Sequence, residues 1–305
     1  MKVKQKVKIG VFGDGAWAAN LVLLLNQIPN YEVCFVVKRF TTDDDDLEQR
    51  AKEHGIPLFE VENVNTPESL ELFSSFQADV YLSMSFDQII RGELLATSRL
   101  GFLNCHAGRL PFYRGRNALN WAIINGEKEF GITVHVVDEG IDTGPIVLQH
   151  SSPIGLREAY ADVLERAHQI CPETMLKALK KYLADPTSLI DQKKHFKSQS
   201  YFSKRMIGDE WIDWGRSSAE IYNLIRGISK PGPCARTILD GKTIAIIEAE
   251  LVSGFADYLG TCGQIIGKQK TGVLVKTGDN VLLIKKYSIL ETNGILGETK
   301  TADMT

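Results

Sequence analysis

Apolar residues in the first half of the chain fall in short runs, each closed by glycine, proline or polar residues. Val7-Lys8-Ile9-Gly10-Val11-Phe12 stops at Gly13-Asp14-Gly15 and reads as a buried strand followed by a tight turn. Ala16 to Gln27, rich in Ala and Leu, predicts a helix stopped near Pro29-Asn30. Tyr31 to Val37 predicts a second strand, and the acidic segment from Thr41 leads into a helix running through Lys52. Ile56 to Phe59, Asp79 to Met84 and Gly101 to Asn104 predict further strands, separated by helices at Pro67 to Phe76 and Gly92 to Ala96. This alternation predicts an α/β domain with a Rossmann-like, doubly wound, mostly parallel sheet.

After Asn104 the pattern changes. A long loop runs from Cys105 to Arg116, and a helix from Asn117 to Ile124 stops at Asn125-Gly126. Gly131 to Val137 and Gly144 to His150 predict paired strands. Arg157 to Leu183 predicts a long helical stretch, interrupted or restarted at Pro172. Asp185 to Tyr201 is polar and reads as a linker. Ser217 to Gly227 predicts a helix with an apolar face at Ala219, Tyr222 and Ile225. Beyond Ala235, β-rich runs (243–249, 263–266, 272–275, 280–284) alternate with glycine and predict a small β-barrel. The boundary is expected near residue 200, giving domains 1–200 and 201–305, as a chain of 305 residues allows.

Composition adds limits. Hydrophobic residues make up 44% and charged residues 24%, which excludes disordered, collagen-like and coiled-coil classes. A net charge of −3 argues against nucleic-acid binding through a dominant basic surface. The 5 cysteines are scattered without a C-x-x-C pair, so free thiols in a reducing compartment are expected, with no metal site. The basic start, Met1-Lys2-Val3-Lys4, is not followed by a signal-like apolar run, and no stretch reaches membrane-helix length. A cytoplasmic protein without membrane partners is expected.

Two places carry candidate chemistry. Gly13-Asp14-Gly15-Ala16-Trp17-Ala18 fits G-x-G-x-x-A between a strand and a helix, with Lys38 and Arg39 after the second strand, where a 2′-phosphate would sit. An NADP-dependent oxidoreductase therefore has to be considered. Asp14 would repel a pyrophosphate, and Trp17 crowds the helix start. A plain tight turn, or a site for some other ligand above the first strand, are the other readings.

The second place is Asn104-Cys105-His106 at the carboxyl end of a sheet strand, the edge where open α/β sheets bind ligands. Alternation points Asn104 and His106 one way and Cys105 into the core. An amide can donate to a developing oxyanion, and an imidazole can take a proton near neutral pH. Asp142, in the turn Asp138-Glu139-Gly140-Ile141-Asp142-Thr143-Gly144, is placed to orient and charge-stabilise His106. No serine or cysteine pattern marks a nucleophile.

The run from Asn104 through Pro111 and Tyr113-Arg114-Gly115-Arg116 resembles the signature of the folate-dependent formyltransferases. So do Trp121-Ala122-Ile123, Asn125-Gly126-Glu127, Gly131-Ile132-Thr133-Val134-His135 and Asp142-Thr143-Gly144-Pro145-Ile146. Ile212-Asp213-Trp214, Ile225-Arg226-Gly227 and Pro231-Gly232 resemble the start of the C-terminal OB-like domain of the longer members. The resemblance implies a catalytic domain over residues 1–200 and an OB-like domain over 201–305. It implies 10-formyltetrahydrofolate as donor, an amine as acceptor, and Asn104, His106 and Asp142 as catalytic residues. The pteridine is expected between Ser83-Met84-Ser85-Phe86 and the loop carrying Asp138 and Gly140, held mainly by backbone groups.

Among family branches, methionyl-tRNA formyltransferase is similar in length, but here the segment after the second strand carries Asp43-Asp44-Asp45-Asp46, which would repel a tRNA backbone. Gly108 and Arg109 also depart from the common family pattern. Tyr113 to Arg116 and Asn117 to Trp121 look most like the formyltransferase domain of the lipid A aminoarabinose-modifying enzyme, which acts on a UDP-linked amino sugar. That likeness implies a UDP- or dTDP-linked amino-deoxy sugar as partner, with Arg114, Arg116 and Trp121 contacting it, and a homodimer by analogy. A folate hydrolase and a non-catalytic nucleotide-binding module are the remaining alternatives.

Overall fold

The structure is a computed structural model that describes residues 6–290 and 296–301. The chain forms two compact units. The first comprises the described residues up to Gly115 with Phe130–Ser152 and Glu165–Phe202. The second comprises Arg116–Glu129, Pro153–Leu164 and the described residues from Ser203 on.

In the first unit, β1 (Val7–Gly13), β2 (Tyr31–Lys38), β3 (Leu58–Glu60), β4 (Val80–Met84) and β5 (Phe102–His106) are joined through α1 (Gly15–Asn26), α2 (Asp46–Glu53), α3 (Pro67–Ser75) and α4 (Gly92–Leu95). Two-residue β6 (Arg114–Gly115) follows; next in chain order come α5 (Ala118–Ile124), which belongs to the second unit, and then β7 (Glu129–Val136), β8 (Ile146–Pro153), α6 (Tyr160–Ala184), α7 (Gln192–His195) and β9 (Tyr201–Phe202). The main sheet has the order β3-β2-β1-β4-β5-β7-β8. Its first five strands are parallel, and β7 pairs antiparallel with β5. The strand order reverses between β1 and β4, a topological switch point.

The central strands read as continuous apolar runs because helices cover both faces. On one face Phe12, Phe35, Phe73, Tyr81 and Phe102 form an aromatic core under α3. Gly10 is required there: a Cβ would lie 2.4 Å from the Phe35 ring. On the other face α1 meets α6. Asn20 Nδ2 donates to His168 O at 3.1 Å, and Trp17 stands edge-on to the His168 ring. Helix α3 starts on a Thr66 cap with Pro67 in its first turn.

Two expectations need correction. Pro172 lies inside α6, which runs unbroken from Tyr160 to Ala184. The segment 185–201 is built structure: Ile190 bridges to Ile146, α7 follows an Asp191 cap, and β9 pairs parallel with β6. The side chains of Asp185, Asp191 and Gln192 are held by hydrogen bonds to main chain, which hydrophobic periodicity does not report.

In the second unit α8 (Ser218–Gly227) begins with a Ser217–Glu220 capping box. It packs beside α5, where Asn120 Nδ2 donates to Gly227 O at 2.7 Å. Strands β10 (Ala235–Leu239), β11 (Lys242–Leu251), β12 (Ile265–Gln269), β13 (Gly272–Lys276), β14 (Val281–Leu290) and β15 (Leu296–Thr301) form an antiparallel sheet ordered β10-β11-β14-β13-β12, with β15 on β14. Ile221, Ile225 and Ile228 pack on Ile246, Leu282 and Ile284 of this sheet. No described helix is long and apolar enough to cross a membrane.

Candidate active site

Strand β5 places Asn104 and His106 on one face and turns Cys105 to the other, where its Sγ meets Cys171 O and the side chain is buried. Register sets Asn104 beside Ser83 of β4 on one side and beside His135 of β7 on the other. Asp142 stands in the β7–β8 turn at φ 53°, a left-handed conformation that aspartate tolerates better than most residues. Gly144 lets this turn close against β7: a Cβ there would lie 1.8 Å from Val136 O.

The structure thereby brings Asn104, His106 and Asp142 together and adds His135, which the sequence reading left inside a motif without a role. Asp142 Oδ2 lies 3.5 Å from His106 Nδ1, and Oδ1 lies 3.3 Å from His135 Nε2. Asn104 Nδ2 is 3.2 Å from His135 Nε2. The far nitrogen of each ring is committed to main chain: His106 Nε2 donates to Tyr113 O at 2.6 Å and His135 Nδ1 to Val136 O at 2.9 Å. Each ring therefore carries a proton on the atom facing Asp142 only when it is cationic. The Gly115 N–H donates to Asp142 Oδ2 at 2.8 Å.

Burial alone would raise the Asp142 carboxyl. The two imidazoles and the Gly115 N–H outweigh it and hold the group well below the ordinary carboxylate range. An anionic carboxylate between two basic rings is a proton-accepting cluster, and half-buried Asn104 is the amide at its rim.

Gln192, which the sequence reading placed in a linker, is 2% exposed and supports this arrangement. Its Nε2 donates to Asp142 O and Gly144 O, and its Oε1 accepts from an Arg114 guanidinium nitrogen at 2.8 Å. Arg114 also donates to Gln199 Oε1. Burial pushes the guanidinium down from its ordinary value, opposed by the fields of Asp142 and Asp138.

The residues expected to hold the pteridine are distributed as follows. Ser83 and Met84 are buried within β4, and Phe86 packs on Phe12 of the aromatic core. Ser85 follows at φ 57° and accepts a hydrogen bond from Arg39 at 3.0 Å. Main-chain groups are what this segment presents. Asp138 Oδ1 accepts from Gly140 N and Thr143 Oγ1, fixing the opposite loop. Arg116 and Trp121 belong to the second unit, the first exposed and the second on α5.

The Gly13-Asp14-Gly15 turn is filled from within. Asp14 is 8% exposed, accepts from Thr42 Oγ1 at 3.0 Å and faces Arg39 at 3.6 Å. Burial raises its carboxyl; Thr42 and Arg39 oppose that. Lys38 pairs with Glu48 and Glu60. Both cations that an NADP reading requires are thus engaged by carboxylates. Of the acidic run, Asp46 opens α2 and Asp44 Oδ1 caps its N–H, a placement the helix dipole favours. Among the described residues no group of three or more His, Cys, Asp or Glu could hold a metal ion.

The Formyl transferase family matches residues 6–179, and its C-terminal domain matches residues 207–294. The methionyl-tRNA formyltransferase of Geobacter sulfurreducens is 34% identical over 239 residues, covering 78% of this chain and 73% of that protein. The bifunctional polymyxin resistance protein ArnA of Wigglesworthia glossinidia brevipalpis is 33% identical over 205 residues, 67% of this chain and 31% of that protein. A solved sugar 3N-formyl transferase, WlaRD, described with dTDP and 5-N-formyl-THF, superimposes with a TM-score of 0.70. It is 22% identical, with 92% of this chain and 98% of that one covered.

Proposed function

This chain belongs to the formyl transferase family, and we propose that it moves the formyl group of 10-formyltetrahydrofolate to the amine of a UDP- or dTDP-linked amino-deoxy sugar. The observation that carries formyl transfer is the set of Asn104, His106, His135 and Asp142 at the carboxyl end of β5. A neutral amine attacks the formyl carbon, forming the new C–N bond and placing charge on the formyl oxygen. Asn104 Nδ2 is the donor to that oxyanion. The amine proton passes to the Asp142 cluster, where either ring atom facing the carboxylate holds it as an ion pair. Collapse breaks the bond to the folate nitrogen, which leaves with a proton returned from the cluster. The products are the N-formyl sugar and tetrahydrofolate. The donor's pteridine lies between Ser83–Phe86 and the loop of Asp138 and Gly140, and Arg114 of the same unit faces the acceptor.

The acceptor class rests on Asp43–Asp46. These four carboxylates follow β2 and open α2, and they oppose the phosphate backbone of a tRNA. The 34% identity to a protein named methionyl-tRNA formyltransferase favours the second reading, in which charged initiator tRNA is the acceptor.

A single assay separates them. The protein is mixed with 10-formyltetrahydrofolate, a pool of UDP- and dTDP-linked 3- and 4-amino sugars, and charged initiator tRNA, and products are weighed by mass spectrometry. One sugar nucleotide gaining a formyl group is the expected result. Formylation of the tRNA alone rejects the sugar reading, and folate consumed without either product identifies a hydrolase.

A further inference from the structure

In the first unit a cleft of about 230 Å³ is lined by Arg114, Gln192, Lys193, Lys197, Ser198 and Gln199, along with two apolar residues. That volume is below the roughly 300–1,000 Å³ of a whole small-molecule site, so it suits one group of a ligand. Three of its lining side chains are cationic and none is a carboxylate. A cleft lined by one sign of charge focuses its field on the opposite sign.

Arg114 sits at the inner wall and is 6% exposed. A guanidinium so far from water is costly unless its charge is met. Its hydrogen-bond partners are the neutral amides of Gln192 and Gln199, and its Nε has none. No carboxylate lies within ion-pair distance of it among the described residues, and Asp142 and Asp138 oppose its burial only through their fields at longer range. Lys193 and Lys197 flank it from the basic run Lys193-Lys194-His195-Phe196-Lys197, in which only Lys194 is ion-paired, to the helix-capping Asp191. Gln192 joins the cleft to the site, since its other end holds the main chain of Asp142.

We propose that this cleft is an anion subsite that receives a phosphoryl group, with Arg114 at its base and Lys193 and Lys197 at its mouth. Resting on the nucleotide-sugar reading, the group it takes is the diphosphate of the acceptor. Forked N–H donors on Arg and mobile ammonium groups on Lys suit phosphoryl oxygens.

The test uses the full chain. Inorganic pyrophosphate, UDP and dTDP are titrated calorimetrically into the wild type, the double variant Lys193→Ala/Lys197→Ala and, as control, Lys180→Ala on α6. Among the described residues neither lysine side chain of the double variant makes a hydrogen bond or ion pair, and thermal melting checks that the variant is folded. The expected result is binding of all three anions, weakened about tenfold or more in the double variant and unchanged in the control. Pyrophosphate bound equally by wild type and double variant, or by neither at millimolar concentration, overturns the subsite.

Formyl-transfer kinetics separate its failure from that of the parent reading. Sugar formylation with an unchanged acceptor KM in the double variant overturns the subsite and leaves the sugar reading intact. Pyrophosphate binding that weakens in the double variant, with no amino sugar formylated, keeps the anion subsite and overturns its assignment to a sugar nucleotide. A raised KM for charged tRNA in place of the sugar also overturns that assignment.

Discussion

The side-chain amide of Gln192 holds the main chain of Asp142, with Nε2 at 3.0 Å from Asp142 O and 2.7 Å from Gly144 O. The carboxylate of the candidate site is thereby fixed from behind by a residue 50 positions away in the chain. In Gln192→Leu both carbonyls lose their donor, and Arg114 loses one acceptor. Each buried polar group left unpaired costs on the order of 1–3 kcal/mol. The variant should be destabilised by about 3 kcal/mol in urea unfolding, and kcat should fall with it. Unchanged stability would show that the two carbonyls find other donors.

Asn104 is assigned to the oxyanion, so Asn104→Ala should lower kcat by about 10²–10³-fold. Binding of a non-reactive folate should hardly change. A loss confined to KM would move Asn104 from the transition state to ground-state binding.

His135 faces both Asn104 and Asp142. Its replacement by Phe keeps a planar aromatic ring and removes the pairing, and kcat should fall by about tenfold or more. The double variant with His106→Asn should lose less than the product of the two single losses, because both rings serve one carboxylate. Multiplicative losses would mean that they act separately.

The Asp142 carboxyl is held below its unfolded value of 3.8. A depressed native pKa contributes stability that is present above the unfolded value and is lost as pH falls toward the native one. Unfolding free energy of the wild type should therefore decline below about pH 4. Asp142→Asn should be less stable at neutral pH and show a shallower acid decline. Parallel acid limbs in the two proteins would contradict the assignment.

Gly108 follows His106 by two residues, and the geometry explains its use in this chain. A Cβ at this position would lie 2.4 Å from His106 Nε2 and 2.8 Å from Tyr113 O, the two atoms of the hydrogen bond that anchors the ring. Gly108→Ala should displace the imidazole and reduce kcat by about 10–100-fold. Full activity would show that the ring position is not critical.

Strands β1, β2, β4 and β5 were legible because both of their faces are covered, so apolar runs ending in turns mark them directly. Asn104 and His106 were legible because alternation on one strand needs no knowledge of neighbours. His135 was not, although it lies in a quoted motif, because its role comes from standing opposite Asn104 across two strands. Only the pairing register reveals that. Gln192 was hidden for a different reason. Its burial is compensated by main-chain hydrogen bonds, so its surroundings in sequence read as polar and solvated. The turn at Asp14 was legible as a turn, while its filling by Thr42 and Arg39 depends on where β2 ends.

The second unit takes in Arg116–Glu129 and Pro153–Leu164, two segments that precede most of its residues in the chain. Ile124, from the first of these, packs into the cluster of Ile221, Ile225 and Ile228. During synthesis, all described residues of the first unit have been made once Phe202 is joined, while the second unit then exists only as two fragments awaiting their partners. No single cut in the chain separates the two units. A fragment beginning at Ser203 would expose the isoleucine face of α8 that Ile124 covers, and should be prone to aggregate where the whole chain is not.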